Sequence, residues 1–166
     1  MKKIALVILL LVSGCSTFAK TAKNKKKKVD PNQITSVTVF HSVCFGRCPE
    51  YKIQIGSDGT AIYTGMRFSK DTGIFKKTIG KARAKEIIDQ VIANRVDTCS
   101  NMYENRIPDL PGLTITINYP KKTKNIYNAN FGPAFLKEIS DNMEVVGRKT
   151  AENNTGWKKT GMPKFD

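Results

Sequence analysis

Short segments with alternating apolar and polar residues are the feature that most constrains how this chain can fold. Val37 and Val39 alternate with polar residues, and the same two-residue period recurs in later segments. This period places every apolar side chain on one face of a β-strand. Turn signals separate the segments, among them Asp58-Gly59, which suits the positive φ angles of a tight hairpin. The pattern therefore predicts a sheet with one face against a core.

Six strands and two helices are predicted in this way. The strands lie around Val37–Val39, Tyr51–Ile55, Thr60–Phe68, Ile74–Ile79, Leu113–Ile117 and Lys124–Phe131. Amphipathic helical periodicity covers Lys81–Asn94 and returns between Pro133 and Gly147. Strands joined by short turns pair antiparallel, and the two apolar helix stripes need one sheet face to cover. The predicted fold is α+β, a mostly antiparallel sheet of about six strands with two helices packed on one face, in the order ββββαββα.

The N-terminus predicts a lipoprotein signal. Lys2-Lys3 precede an apolar run that leads into Val12-Ser13-Gly14-Cys15. The run is about nine residues long and a bilayer-spanning helix needs about twenty, so the segment is typical of a cleaved signal. An ordinary secretory signal and a retained anchor are the alternatives. The predicted organisation is a signal peptide at 1–14, a lipidated cysteine and linker at 15–33, one α+β domain at 34–148 and a polar, flexible tail at 149–166.

The linker carries much of the formal charge of +14. Its lysines are Lys20, Lys23, Lys25, Lys26, Lys27 and Lys28. No aromatic residues interleave with them, so nucleic acid is not an expected partner. Next to a lipid anchor, the lysines are expected to contact anionic headgroups or to act as a solvated spacer. The expected partners are membrane lipid, through the acylated N-terminus, and an envelope protein.

The residue after Cys15 bears on location. It is Ser16, not the aspartate that retains lipoproteins at the inner membrane in well-studied enteric bacteria. The following residues are basic, unlike the acidic tags of surface-exported lipoproteins. We therefore expect a lipid-anchored protein of the bacterial cell envelope, at the outer membrane and facing the periplasm.

The three remaining cysteines are Cys44, Cys48 and Cys99, so at most one bridge can form among them. Cys44 and Cys48 are the natural pair because they share one tight loop. Three interpretations stay open. The pair forms a structural disulfide, or it is a thiol-redox pair, or it joins His41 in a metal site to which Cys99 could add a ligand. In the first case the loop presents Phe45 and Arg47, and Gly46 supplies the conformation that reverses the chain.

The same segment carries a family resemblance. The motif Cys44-x-Gly46-x-Cys48-Pro49-x-Tyr51, followed by the Asp58-Gly59 hairpin, resembles the opening of an uncharacterised bacterial envelope family, domain of unknown function six-four-three-eight. The resemblance continues through Gly65, Phe68, Asp109-Leu110-Pro111, Pro133 and Leu136, and covers Ile34–Val146. It implies a secreted or lipid-anchored location and a fold, and it implies no activity.

A catalytic constellation is not recognisable. The single histidine is His41, no serine has a nucleophile motif around it, and no glycine-rich loop opens a helix. Asp109, in a long loop from Thr98 to Pro111, is the best remaining polar candidate. We expect a non-catalytic binding or scaffolding domain without a cofactor, with Phe45, Arg47 and Asp109 as its interaction surface. The alternative is a thiol-redox or metal-handling protein that uses the cysteine loop.

Overall fold

The computed structural model describes residue 30, residues 33–104 and residues 111–164. The predicted signal, the lipidation site Cys15, the lysine linker and Asp109 lie outside these residues. Within the described part, no helix combines the length and the apolar character needed to cross a bilayer.

In the part of the chain that the structure describes, eight strands form one sheet. They are β1 (Ser36–His41), β2 (Tyr51–Gly56), β3 (Thr60–Gly65), β4 (Gly73–Thr78), β5 (Met102–Tyr103), β6 (Leu113–Asn118), β7 (Thr123–Asn128) and β8 (Lys158–Gly161). Their order across the sheet is β5-β7-β6-β1-β2-β3-β4-β8. The pairing of β5 with β7 is parallel and the other pairings are antiparallel. The first strand of the domain therefore lies inside the sheet.

Two helices cover one face of this sheet. Helix α1 (Lys81–Ala93) follows β4, and α2 (Ala134–Gly147) follows β7. Strand register places Val37 opposite both Ile55 and Ile117, so their side chains share a face. These residues are buried in one cluster with the apolar stripes of the helices, which include Ile87 and Leu136. The predicted α+β class, with two helices and a mostly antiparallel sheet, is confirmed.

The predicted number of strands is corrected from six to eight. The first additional strand, β5, lies in the segment that was expected to be a long loop, and the second, β8, lies in the segment that was expected to be a polar tail. Two residues are too few to show a period, and β8 consists of Lys-Lys-Thr-Gly, with no apolar residue to alternate. β3 is also shorter than predicted. It ends at Gly65, and Phe68 has a φ of 55°, which is incompatible with a continuing strand.

Candidate functional site

A disulfide closes the loop between β1 and β2. Cys44 and Cys48 are bonded, and their Cα atoms lie 5.5 Å apart. The Gly46 N–H donates to the Cys44 carbonyl at 2.7 Å. Gly46 does not have a positive φ, and a Cβ added there would meet only the Cys44 Sγ, at 3.7 Å. The disulfide and this hydrogen bond therefore reverse the chain, and the expected need for a glycine-specific conformation is not met.

Both ends of the loop are attached to neighbouring strands. On one side, the Ser42 N–H donates to the Gly112 carbonyl at 3.0 Å, and the Gly112 N–H donates to the Ser42 Oγ at 2.9 Å. On the other side, the Glu50 N–H donates to the Arg67 carbonyl at 2.8 Å, and the Met66 N–H donates to the Glu50 carbonyl at 2.9 Å. The segment around the disulfide is therefore held between two attachment points.

Three phenylalanines are exposed on loops at this end of the sheet. Phe45, at the tip of the disulfide loop, is 87% exposed, and Arg47 beside it is also exposed. Phe68 lies in the β3–β4 connection and Phe131 in the β7–α2 connection. The strand order explains the grouping, because β1, β3 and β7 all end here while β2, β4 and β6 begin here. We call these three side chains and Arg47 the aromatic end.

A polar cluster lies between the aromatic end and α2. The His41 ring stacks on Tyr51 with centroids 4.6 Å apart, and its Nε2 lies 2.9 Å from the Ser140 Oγ and 3.2 Å from the Glu144 Oε1. The Arg148 Nη1 donates to the Glu144 Oε2 at 2.9 Å, and its guanidinium lies 4.3 Å from the Tyr51 ring centroid. We call these five residues the His41 cluster. It attaches the start of the disulfide loop to helix α2.

The electrostatics of the His41 cluster centre on Glu144. Burial alone would raise the pKa of this carboxyl, but hydrogen bonds with His41 and Tyr51 and the charges of His41 and Arg148 outweigh it and lower the pKa to about 2. Burial, together with the hydrogen bond and negative charge of Glu144, raises the pKa of Tyr51 well above its ordinary value. The carboxylate is thus ionised and the phenol protonated over the whole physiological range.

The cluster contains serine, histidine and glutamate but lacks the geometry of a hydrolytic triad. Such a triad places the serine and the acid on opposite ring nitrogens of the histidine, so that the acid orients the ring while the other nitrogen takes a proton. Here Ser140 and Glu144 both contact Nε2 of His41. Ser140 is also 1% exposed and cannot meet a substrate. The arrangement is suited to bracing the loop.

The proposed metal ligands are not brought together. Cys44 and Cys48 are joined to each other, so neither sulfur is a thiolate ligand in this state. Cys99 is half-buried, and its carbonyl accepts a hydrogen bond from Lys124 at the start of β7. The disulfide lies at the end of the sheet where β7 finishes, so Cys99 and the disulfide are at opposite ends of that strand. Among the described residues, no group of three or more His, Cys, Asp or Glu side chains could hold a metal ion.

A family model described as Domain of unknown function (DUF6438) matches residues 35–147. The chain belongs to this family. The match begins one residue before β1 and ends with α2, so the DUF6438 region contains the disulfide loop, both helices and four of the five residues of the His41 cluster. Arg148 and β8 follow it. No curated protein matches the chain.

Proposed function

We propose that this DUF6438 protein is a non-catalytic, lipid-anchored binding domain of the bacterial envelope, and that its disulfide loop engages a partner protein. The observation that carries this proposal is Phe45, an almost fully exposed aromatic side chain at the tip of a covalently closed loop. Burying such a side chain in a partner contributes about 1.5–3 kcal/mol. A loop that is already closed loses little further entropy on binding, so more of this contribution becomes affinity.

The surroundings of Phe45 support a protein partner. Aromatic residues and arginine are the residue types most enriched at the energetic centres of protein interfaces, and the aromatic end presents three phenylalanines with Arg47. The braces behind the loop, through Ser42, Glu50 and the His41 cluster, hold this surface in one geometry. This is the preorganisation that a binding surface requires.

The topology supports presentation of this end away from the anchor. The linker enters β1 at Ser36, and β1 reaches the loop six residues later. Six strand residues extend over roughly 20 Å. The aromatic end therefore lies at the end of the sheet opposite to the point where the linker enters. A surface in that position is better placed to contact a partner protein across the periplasm than to contact the membrane that holds the anchor.

Photo-crosslinking in cells tests the loop. A photoreactive residue at position 45 should give a discrete adduct with an envelope protein, and purified wild-type protein should compete for that partner while Phe45→Ala should not. Val145 is the matched control, because it is also a strongly exposed apolar residue but lies on α2. Equal adducts from positions 45 and 145, or none from position 45, would contradict the proposal.

Anchoring is tested separately. Radiolabelled palmitate should label the wild-type chain and not Cys15→Ser, and the labelled protein should fractionate with the outer membrane. Equal labelling of both proteins would rule out acylation at this residue. The binding function of the loop does not depend on this result.

A thiol-redox function is the second candidate, and one observation favours it. Both cysteines of the loop are only half-buried, so an attacking thiolate could reach their sulfur atoms. Trapping free thiols in growing cells separates the two functions. A pair that is fully oxidised under all conditions supports the structural disulfide, whereas a reduced fraction that changes with added oxidant or reductant supports exchange.

A further inference from the structure

The sheet face opposite the helices has an unusual charge composition. None of the eight strands of the described chain contains aspartate or glutamate. Of the six lysines in these strands, Lys52, Lys76 and Lys158 project to this face. The other three, Lys77, Lys124 and Lys159, are register partners of the core residues Ala61, Ile117 and Phe75 and project to the helix face. A solvated sheet face ordinarily pairs opposite charges across strands, since like charges directly opposite each other are destabilising. The strands of this sheet have no acid with which to do so.

One row of register partners crosses this face. Gln54 of β2 lies opposite Ile62 of β3, Ile62 lies opposite Lys76 of β4, and Lys76 lies opposite Lys158 of β8. Directly paired residues project to the same face of a sheet. With neighbouring strands about 4.8 Å apart, the four side chains span roughly 14 Å. That is the scale of a small saccharide with one substituent.

Two cavities lie along this row and share Lys76. The larger, of about 440 Å³, is lined mainly by polar residues, including Ser36, Gln54, Asp58 and Thr60, together with Ile62. The smaller, of about 270 Å³, has three lysines, including Lys158, and two threonines in its wall and no acid. The first is therefore suited to a neutral polar group and the second to an anion.

The basic cavity contains two lysines that are neighbours across strands, and the charge of one of them, Lys76, also acts on Asp58 at the border of the larger cavity. Lys76 and Lys158 are direct register partners, and no carboxylate of the described chain lies within 4.0 Å of either Nζ. Thr78 and Thr160 line the same cavity, and the Thr160 hydroxyl donates to the Ile74 carbonyl at 3.2 Å. Two ammonium groups match the charge and hydrogen-bonding capacity of a phosphate monoester.

The larger cavity has a polar floor and an acidic border. The Gln54 and Asn118 amides donate to the Ser36 Oγ at 3.4 and 3.0 Å, which fixes their positions. Asp58 accepts hydrogen bonds from the backbone and the hydroxyl of Thr60, and these bonds lower its pKa, so the carboxylate stays ionised. A carboxylate at this border can accept hydrogen bonds from saccharide hydroxyls and repels a phosphate.

We propose that this row is a binding site for a phosphorylated saccharide, with the phosphate between Lys76 and Lys158 and the sugar hydroxyls over Gln54 and Asp58. The acid at one end and the two lysines at the other fix the direction in which the ligand lies. The site is on a different surface from the disulfide loop, so it goes beyond the proposed partner-binding function and does not rest on it.

NMR titration of the full-length chain in detergent micelles tests the site. Glucose 1-phosphate should give saturable shifts of the Gln54, Lys76 and Lys158 amides. It should bind at least about tenfold more tightly than glucose or inorganic phosphate, since each alone fills one cavity. No saturation by about 10 mM glucose 1-phosphate would overturn the proposal. Inorganic phosphate binding as tightly as the sugar phosphate would also overturn it, because the saccharide would then contribute nothing.

Substitutions separate the site from general attraction of anions. Lys76→Gln and Lys158→Gln should each weaken glucose 1-phosphate binding about tenfold, because each removes a charge-assisted hydrogen bond. The control is Lys52→Gln, which removes a strand lysine on the same sheet and should change binding by less than about twofold. Removing one of two opposed like charges should leave the melting temperature unchanged or raised, so a folded variant is expected in each case. Equal weakening by all three substitutions would contradict a specific site.

Discussion

Replacement of Glu144 by glutamine is the sharpest test of how the disulfide loop is braced. The glutamine keeps the size of the side chain but removes the charge that pairs with Arg148 and accepts hydrogen bonds from His41 and Tyr51. We expect a folded but less stable protein, in which the half-buried guanidinium of Arg148 has lost its partner. Leaving such a charge unpaired costs more than the pair itself contributes.

The magnitude follows from the pKa of Glu144. Its lowering from 4.5 to about 2 corresponds to roughly 3 kcal/mol of preference for the ionised carboxylate in the folded state. The Glu144 side chain is 23% exposed, so solvent screening reduces the expected loss in Glu144→Gln to about 2 kcal/mol at neutral pH.

The pH dependence gives this prediction its sign. The folded-state pKa of Glu144 is lower than the unfolded-state value, so the stabilisation is fully present above about pH 4.5 and is lost as the pH falls towards 2. A protonated Glu144 resembles the glutamine variant. The difference in the free energy of unfolding between the two proteins should therefore fall by more than half between about pH 7 and about pH 3.

Urea denaturation, followed by the fluorescence of the single tryptophan, Trp157, measures this difference. Glu138→Gln is the control, because it makes the same chemical change at an exposed position of the same helix and should alter stability by less than about 0.5 kcal/mol. Equal losses in the two variants, or a loss in Glu144→Gln that does not shrink at low pH, would show that the carboxylate does not hold the cluster.

Three further predictions concern backbone geometry, the disulfide and the last strand. Gly59→Ala should destabilise the fold by more than about 1 kcal/mol in urea denaturation, because φ is 88° and the new Cβ would lie 2.6 Å from a backbone carbon. Gly46→Ala is the control and should be neutral. Similar effects of both changes would contradict the assigned conformations. Replacing Cys44 and Cys48 by serine together should cost about 2 kcal/mol, the loop-closure entropy of so short a bridge, and no change would mean that the loop is held without it. Trp157→Ala should accelerate amide hydrogen exchange in β8 and leave β1 protected, because its indole donates to the backbone at 2.8 Å beside that strand; unchanged exchange in β8 would rule out this role.

The main strands and both helices were predictable because their apolar side chains face the core and their polar side chains face solvent, which gives each element a characteristic period. Ile53 and Ile55 alternate with polar residues, and the pairing of β2 with β1 and β3 places both against the core. β8 could not be found in this way. Its pairing with β4 is made by backbone groups and the Thr160 hydroxyl, and Trp157, which contacts Tyr63 edge-on, precedes the strand.

The disulfide loop was predictable from the short spacing of its cysteines, but the His41 cluster behind it was missed. The sequence indicates His41 only as a candidate metal ligand, and its partners on α2 lie about 100 residues further along the chain. One pattern could have indicated them. Ser140, Glu144 and Arg148 recur every four residues along the predicted helix and the residue that follows it, which places three polar groups along one stripe beside the apolar one. That pattern does not indicate which strand the polar stripe of the helix contacts.

The position of β1 inside the sheet determines how the domain would respond to a pull on its N-terminus. β1 is bonded along its full length to β2 on one side and to β6 on the other. A force applied through the preceding residues acts along the strand, so it loads both hydrogen-bond ladders at once in shear and cannot open them one bond at a time. Extraction of β1 by such a force therefore requires both ladders to break together, which makes this strand the mechanically resistant part of the domain.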